Sequence, residues 1–448
     1  MQHPPTSANI LKEEFEKEIL SKDWKKLLIT GKLKEFEERL FESCMFLYDR
    51  ICSEIIKSVS DDEIFIEAQN DLATKQGFKK IVNRDVELQL RTGTKVKFNS
   101  LYAKTVPKDY KGSRHLSLQI FGAEMKSSPV YSSLTCYMSV ICPSFEVGKN
   151  ALRKIGIKAN YDRIRSLSLS IGKRCIESRA SIQLFPNESL ADKRVIIGID
   201  GGRTRTRFYE DKENVKRTDK YKTPWIEPKL FIITTIDENG KANKQDLPIY
   251  DSSFGDDETF EILEDYLINL QIHQAKSVQV IADGALWIWN RAKDLLVKLG
   301  VKKDKIIETL DYYHAMEHLT ELMIYVKAEQ KKELLPMMKQ AIWTGDITKL
   351  KNLIKKGVKG VDLEKFNPYK YFRKNRHRLD YQTLRKEKTP IGSGIIESGI
   401  RRIINLRFKS PSSFWYPKNV EKLILMRAIA LSGRWDITMN NLQINTKI

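Results

Sequence analysis

Four short apolar runs, each closing on an aspartate, set the narrowest limits on this chain. They are VIIGID ending at Asp200, LFIITTID at Asp237, VQVIAD at Asp283 and, less cleanly, KIIETLD at Asp311. Their β-branched residues favour strands. Between them DETFEILEDYLINLQIHQ and ALWIWNRAKDLLVKLG carry a helical period. Strands alternating with helices predict an α/β or α+β layer. In such sheets functional groups gather beyond the carboxyl ends of the strands, where Asp200, Asp283 and Asp311 fall.

The rest of the chain divides around this layer. Residues 8–60 read as helical, with Leu33, Phe36, Leu40, Cys44, Leu47, Ile51 and Ile55 on one stripe. That stripe suits a helical hairpin or a dimer contact, and an ordinary packing face explains it more simply. Residues 86–122 read as β-rich through VELQL, TKVKF and HLSLQIF. Residues 130–182 return to helix, and PSFEVGKNALRKIGI followed by YDRIRSLSLSIGKR has the outline of a helix-turn-helix. Residues 312–366 read as helical, and VEKLILMRAIALSGRW is a last helix packing back on the body. The expected boundaries are a helical region at 1–84 and a β-rich and helical DNA-binding region at 85–190. A first part of the core at 191–311, a helical insertion at 312–388 and a last part of the core at 389–448 follow.

Charge narrows the partner. The 448 residues carry a formal net charge of +20, which favours a polyanion; a lysine-rich genome would also produce it. Between 370 and 410 there are twelve Lys or Arg and three acids. Tyr369, Tyr371, Phe372 and Tyr381 lie in or beside that stretch, and basic residues with aromatics suit a phosphate backbone with unstacked bases. A solvated helix face accounts for the charge but less well for the aromatics. Candidate DNA contacts are Arg373, Lys374, Arg376, Arg378, Arg401, Arg402 and Arg407. Arg203 and Arg205 join them from the alternating GGRTRTRF, where a solvated strand face is nearly as good a reading. No apolar run of about 18 residues is present, so no membrane span is expected. The N-terminus lacks the basic-then-apolar layout of a signal peptide. The five cysteines form no Cys-x-x-Cys pair, which predicts free thiols in a reducing cytoplasm.

Three carboxylates stand in distinctive settings: Asp200, Asp283 and Glu397, the last in PIGSGIIESGIRR. They are separated by 83 and 114 residues. Acids from three segments can converge on two divalent cations, Mg²⁺ or Mn²⁺, for phosphoryl transfer. Each has a plainer explanation taken alone: an Asp after a strand forms turns, and a Glu in a helix's first turn meets the dipole. Asp311 and His314, in DYYHAMEHL, share a helix face at a spacing of three. His314 is a candidate to contact a phosphate or to tune the acids. His314 and His318 are one turn apart, a weak zinc pattern with no Cys nearby.

Taken in order, GIDGGRTRTR, IADGALWIWN, DYYHAMEHL, YFRKNRHRLDY, PIGSGIIESG and NVEKLILMRAIALSGRWD resemble a bacterial insertion-sequence transposase of the DDE class, related to Mutator-like elements. The similarity runs from about residue 85 to 436. It implies an RNase H-like fold: a mixed sheet flanked by helices, with an all-helical insertion before the last acid and a helical and β-rich region ahead of it. Asp200, Asp283 and Glu397 match the family's catalytic, metal-binding acids, and Asp311 and His314 match its Asp-x-x-His signature. The implied partners are the element's terminal inverted repeats, target DNA and further copies of the chain. Many relatives carry zinc-knuckle-like cysteines in the N-terminal β-rich region, and residues 91–124 here contain none.

Two other readings compete. GIDGGRTRTR resembles the phosphate loop of sugar kinases and actin-like ATPases, but about 190 residues precede it and no second such loop is evident. A domesticated, non-catalytic DNA-binding descendant of a transposase would keep the charge without needing all three acids.

Overall fold

A computed structural model describes residues 7–110, 112–209, 219–358, 360, 362–363, 365–409 and 414–444. The first six residues of the N-terminal stretch therefore lie outside the described residues. The chain divides into two compact units, residues 1–174 with 439–448, and residues 175–438.

The first unit is helical around one hairpin. Helices Ser7–Phe15, Trp24–Ile29, Leu33–Ser60 and Glu63–Lys75 precede β1 (Lys79–Gln89) and β2 (Lys95–Thr105). The two strands are antiparallel, with Val86 opposite Phe98 and Leu88 opposite Val96. These four alternate inward onto Leu118, Phe121 and Cys52, so apolar packing holds the cysteine-free hairpin. HLSLQIF is not a strand, as its alternation suggested. Leu116–Ile120 is a helix in which Ser117 is as buried as its leucine neighbours, its hydroxyl 2.6 Å from that of Ser100. A buried, bonded serine mimics the polar beat of a half-exposed strand. Helices Pro129–Ile141, Phe145–Lys154 and Tyr161–Glu177 follow, so both halves of the helix pair read from the sequence form.

The second unit is a mixed α/β layer. Its five-stranded sheet runs β7 (Ile249–Ser253), β6 (Lys229–Ile236), β3 (Arg194–Gly201), β8 (Ser277–Ala282), β9 (Ile306–Leu310). β3, β8 and β9 are parallel, and β6 is antiparallel to both its neighbours. A small antiparallel pair, β4 (Thr204–Arg205) and β5 (Trp225–Ile226), extends beside β3. The direction of β6 separates the four aspartates. Arg194 pairs with Ile236 at one edge, so Asp237 sits opposite Asp200's edge, where it accepts from the amides of Asn239 and Lys241 in a tight turn.

Both sheet faces are covered. Val195, Ile197, Ile199, Val278, Val280 and Ala282 pack onto helices Asp256–Asn269 and Ala292–Lys298. Ile196, Ile236 and Ile281 form a smaller cluster on the other face. This two-sided burial explains why the strands read as continuous apolar runs. After β9 come five helices, Tyr312–Ile324, Ala328–Trp343, Ile347–Gly357, Asn367–Lys374 and Tyr381–Lys386, with a core of their own. Tyr369, Phe372 and Tyr381 belong to that core. They pack inside the protein and do not offer faces to unstacked bases, contrary to the expectation from the sequence.

Candidate active site

Three parallel strands deliver Asp200, Asp283 and Asp311 to one edge of the sheet. Asp200 is the penultimate residue of β3, and its Oδ1 accepts from the Gly201 amide at 2.6 Å. β8 ends one residue before Asp283. There Oδ1 accepts from the Ala285 amide at 2.9 Å, and the Asp283 carbonyl accepts from the indole of buried Trp289 at 2.6 Å. The Asp311 amide donates to the Ala282 carbonyl at 2.9 Å, continuing the parallel ladder.

Glu397 arrives from a different direction. It lies in the first turn of helix Gly394–Gly399, which packs over β3 and β6. Gly198, in the middle of VIIGID, permits this approach. A Cβ there would stand 2.9 Å from Ile232 and 3.1 Å from Ile396, the residue preceding Glu397. The Ser393 hydroxyl donates to Glu397 Oε1 at 3.0 Å.

Asp200 feels the other two acids. Burial, with repulsion from Asp283 and Glu397, pushes the Asp200 carboxyl up to about 6, against the Gly201 amide and His314, which favour its charged form. Among the described residues no three His, Cys, Asp or Glu side chains already surround one point as ligands. Mg²⁺ does not require that: it takes one or two carboxylates and completes its shell with water and substrate phosphate. A destabilised anionic carboxylate beside two others fits such a cation.

The Asp-x-x-His pair works differently from a shared helix face. Asp311 is fully buried and caps helix Tyr312–Ile324, with Oδ1 accepting from the His314 amide at 2.9 Å. Its Oδ2 accepts from the Ser393 amide, while the Tyr312 amide donates to the Ile391 carbonyl. Asp311 therefore ties β9 to the turn that orients Glu397. His314 is half-exposed, with Nδ1 3.1 Å from Glu317 Oε2. Burial lowers its proton affinity, but Asp311, Glu317 and Asp283 outweigh this and raise it. His318 pairs separately with Glu321 at 2.9 Å, and its ring lies 3.7 Å from that of Tyr371 at a 36° tilt.

Tyr371 is a neighbour of the site that sequence reasoning assigned to base stacking. Its hydroxyl is buried without a hydrogen-bond partner. Burial and the charges of Asp283, Asp311, Glu317 and Glu321 hold that hydroxyl firmly protonated. The only sequence signal was its place within YFRKN.

The candidate phosphate contacts separate into two groups. Arg203, Lys374, Arg376, Arg401 and Arg402 are exposed, and Arg205 and Arg373 are half-buried. Arg205 lies 4.7 Å over the Trp225 ring, and Arg402 reaches the Tyr250 hydroxyl at 3.2 Å. Arg401 and Arg402 sit on a π-helical stretch, Ile400–Asn405, directly after the Glu397 helix. Two expected contacts turn inward. Arg407 is buried and packs over Trp415. Arg378 pairs with Glu308 at 2.9 Å and stacks on Trp289 at 4.2 Å, joining the helical insertion to the sheet. Long cationic stems bury readily when their heads find partners.

The Gly-Gly turn is not an open phosphate loop. A Cβ at Gly202 would stand 2.6 Å from Ile404, and one at Gly201 2.3 Å from Glu227. The Gly202 amide donates to the Pro228 carbonyl at 2.9 Å and the Gly201 amide to Asp200 Oδ1 at 2.6 Å, so both N–H groups of the turn already have partners within the protein.

No family model matches the chain, and no curated protein does. Among solved structures the chain is similar to one described as "Drosophila P element transposase strand transfer complex". The identity is 13%, over 73% of this chain and 84% of that one, with a TM-score of 0.27. At that score the likeness is too slight to carry a fold or a function from that protein to this one.

Proposed function

We propose that this chain is a DNA transposase of the DDE type, with an RNase H-like core, that cleaves and joins DNA strands by in-line phosphoryl transfer. What supports the reading is that Asp200 and Asp283 stand at the same ends of neighbouring parallel strands, and that Asp283 and Glu397 both raise the proton affinity of Asp200. The mixed five-stranded sheet, and the helical segment between β9 and the Glu397 helix, support the core assignment.

In this reading Asp200 and Asp283 hold divalent cations, Mg²⁺ or Mn²⁺, with Glu397 completing the set. Bound there, two such ions supply an activated oxygen nucleophile and stabilise the leaving oxygen. The protein's own work is positioning and charge. Ser393, itself fixed by Asp311, keeps Glu397 aimed at the edge. His314, its proton affinity raised by neighbouring acids, presents a ring N–H to a non-bridging phosphate oxygen. Arg203, Arg205, Arg401 and Arg402 flank the edge as phosphate contacts. Water breaks one phosphodiester, and the freed 3′-hydroxyl then attacks a target phosphorus, displacing the target's own 3′-oxygen. Two ends must be joined, so the working assembly contains more than one copy.

Purified protein with Mn²⁺ and labelled duplexes carrying the DNA that flanks its gene tests this. Metal-dependent nicking, abolished by EDTA and in Asp283→Asn, is expected. Wild-type binding without any cleavage overturns the catalytic reading and leaves the non-catalytic DNA-binding one.

A further inference from the structure

The first unit contains a cationic cavity of about 750 Å³, lined from three directions. Lys95 comes from the start of β2, Lys126 from the turn after Phe121, and Lys149, Arg153, Lys158 and Arg163 from the helix pair and its connection. Against these six cations the wall holds one acid, Glu87, already paired with Lys95 at 3.0 Å. Lys149 is paired with Glu146. Lys126, Arg153 and Lys158 are exposed and form no ion pair among the described residues.

The cavity is built rather than accidental. Met125 and Lys126 both adopt left-handed backbone, φ 49° and 63°. Such conformations cost on the order of 1–3 kcal/mol each for non-glycine residues and persist where surroundings enforce them. Here the enforcement is visible. The Gln89 amide donates to the Lys126 carbonyl at 2.8 Å, and the half-buried Arg163 guanidinium ties Gln89, Ser127 and the Met125 carbonyl together. On the opposite wall the Lys158 backbone is clamped. Its amide donates to the Thr92 carbonyl at 2.7 Å, and its carbonyl accepts from the Tyr131 hydroxyl at 3.0 Å. Gly93, φ 90°, is needed there, because a Cβ would fall 2.0 Å from that carbonyl. The backbones of Lys126 and Lys158 are thus locked, and Arg153 joins them on the cavity wall from the end of helix Phe145–Lys154.

We infer that this cavity is a DNA-backbone clamp, which takes consecutive phosphates of one strand. Its chemistry selects that ligand. Unpaired cations attract phosphates, and the lining has no aromatic ring on which a base stacks. It grips without reading sequence. This differs from a recognition helix lying in a groove, because Lys126 and Lys158 come from connections between elements and Arg153 from the last turn of helix Phe145–Lys154. The inference rests on the DNA reading proposed above and adds a second contact region, within the first unit.

The test uses the full chain and the triple variant Lys126→Gln/Arg153→Gln/Lys158→Gln, whose side chains are exposed and outside the acid site. Duplex binding is followed by fluorescence anisotropy from 50 to 300 mM salt, with circular dichroism as the folding control. Loss of three phosphate contacts should flatten the log K against log salt slope by about 2.7 and weaken binding on the order of 100-fold at 0.1 M salt. Unchanged slope and affinity in the triple variant, with wild-type binding intact, overturns the clamp alone. Failure of the wild type to bind any duplex overturns the DNA reading itself. Tight pyrophosphate binding that the triple variant loses, with duplex binding unaffected, reassigns the cavity to a small phosphate ligand and overturns the backbone proposal.

Discussion

Asp200→Asn should make the metal-free protein more stable while removing its activity. The folded environment moves the Asp200 carboxyl from its ordinary 3.8 to about 6, first through burial and then through repulsion from Asp283 and Glu397. The folded protein therefore holds a proton that the unfolded chain has released, between about pH 4 and 6. Stability falls as pH rises through that window, and the deficit is complete above it. A displacement of this size is worth at most about 3 kcal/mol, since each pH unit corresponds to about 1.4 kcal/mol. At pH 5 the deficit is roughly half as large. Asn keeps the shape without the charge, so the variant should gain most at pH 8 and less at pH 5. For a unit of this size the gain is a rise in Tm of about 5 °C. The assay is thermal unfolding in EDTA at both pH values, repeated with Mg²⁺. The cation should raise the wild type's Tm and close most of the gap. Equal stability of the two proteins at pH 8, or a gain independent of pH, refutes the claim that Asp200 is a repelled, desolvated carboxylate.

Three further substitutions probe the supports. Ser393→Ala removes the hydroxyl that holds Glu397 but keeps the amide that Asp311 receives. Cleavage should fall about tenfold, for a stability cost of about 1 kcal/mol in urea titrations. Arg434 is fully buried, bonded to Glu188 and to the carbonyls of Gln183, Leu247 and Pro248. Arg434→Met should cost about 3–5 kcal/mol, seen as a large drop in urea midpoint. Arg378→Ala should loosen the helical insertion from β9 by about 1–3 kcal/mol, because among the described residues it leaves Glu308 with only Lys293 as an ion-pair partner. Limited proteolysis should then cut within 312–388 before the sheet, and Trp289 fluorescence should change.

The sheet was legible because β3, β6 and β8 are buried on both faces, so their residues are apolar without interruption. The acids were legible because parallel strands end at one edge, and an Asp after each run marks that end. Direction was not legible: nothing in LFIITTID says that β6 runs backwards and carries Asp237 away from the site. The role of Asp311 was also hidden. A spacing of three fits both a side chain sharing a face with His314 and a cap receiving its amide, and the structure has the cap. The basic, aromatic stretch misled for a related reason. Tyr369 and Phe372 face inward at helical spacing while Lys374 and Arg376 face out, and composition averages over both faces. Arg378 went inward because Glu308, 70 residues earlier in the chain, meets it, and Arg407 because it packs over Trp415 a short way further along the chain. Tyr371 reaches the site only through the fold of the insertion, a contact that no local pattern encodes.

The central claim is that Asp200, Asp283 and Glu397 act as one unit in DNA strand cleavage. Single-turnover cleavage of a labelled duplex, in Mn²⁺, by Asp283→Asn, Glu397→Gln and the double variant measures it most directly. Groups that act together are grossly non-additive. Each single variant should therefore lose nearly as much rate as the double, while binding the duplex as the wild type does. Wild-type cleavage rates in either single variant, or losses that multiply in the double, would contradict the account.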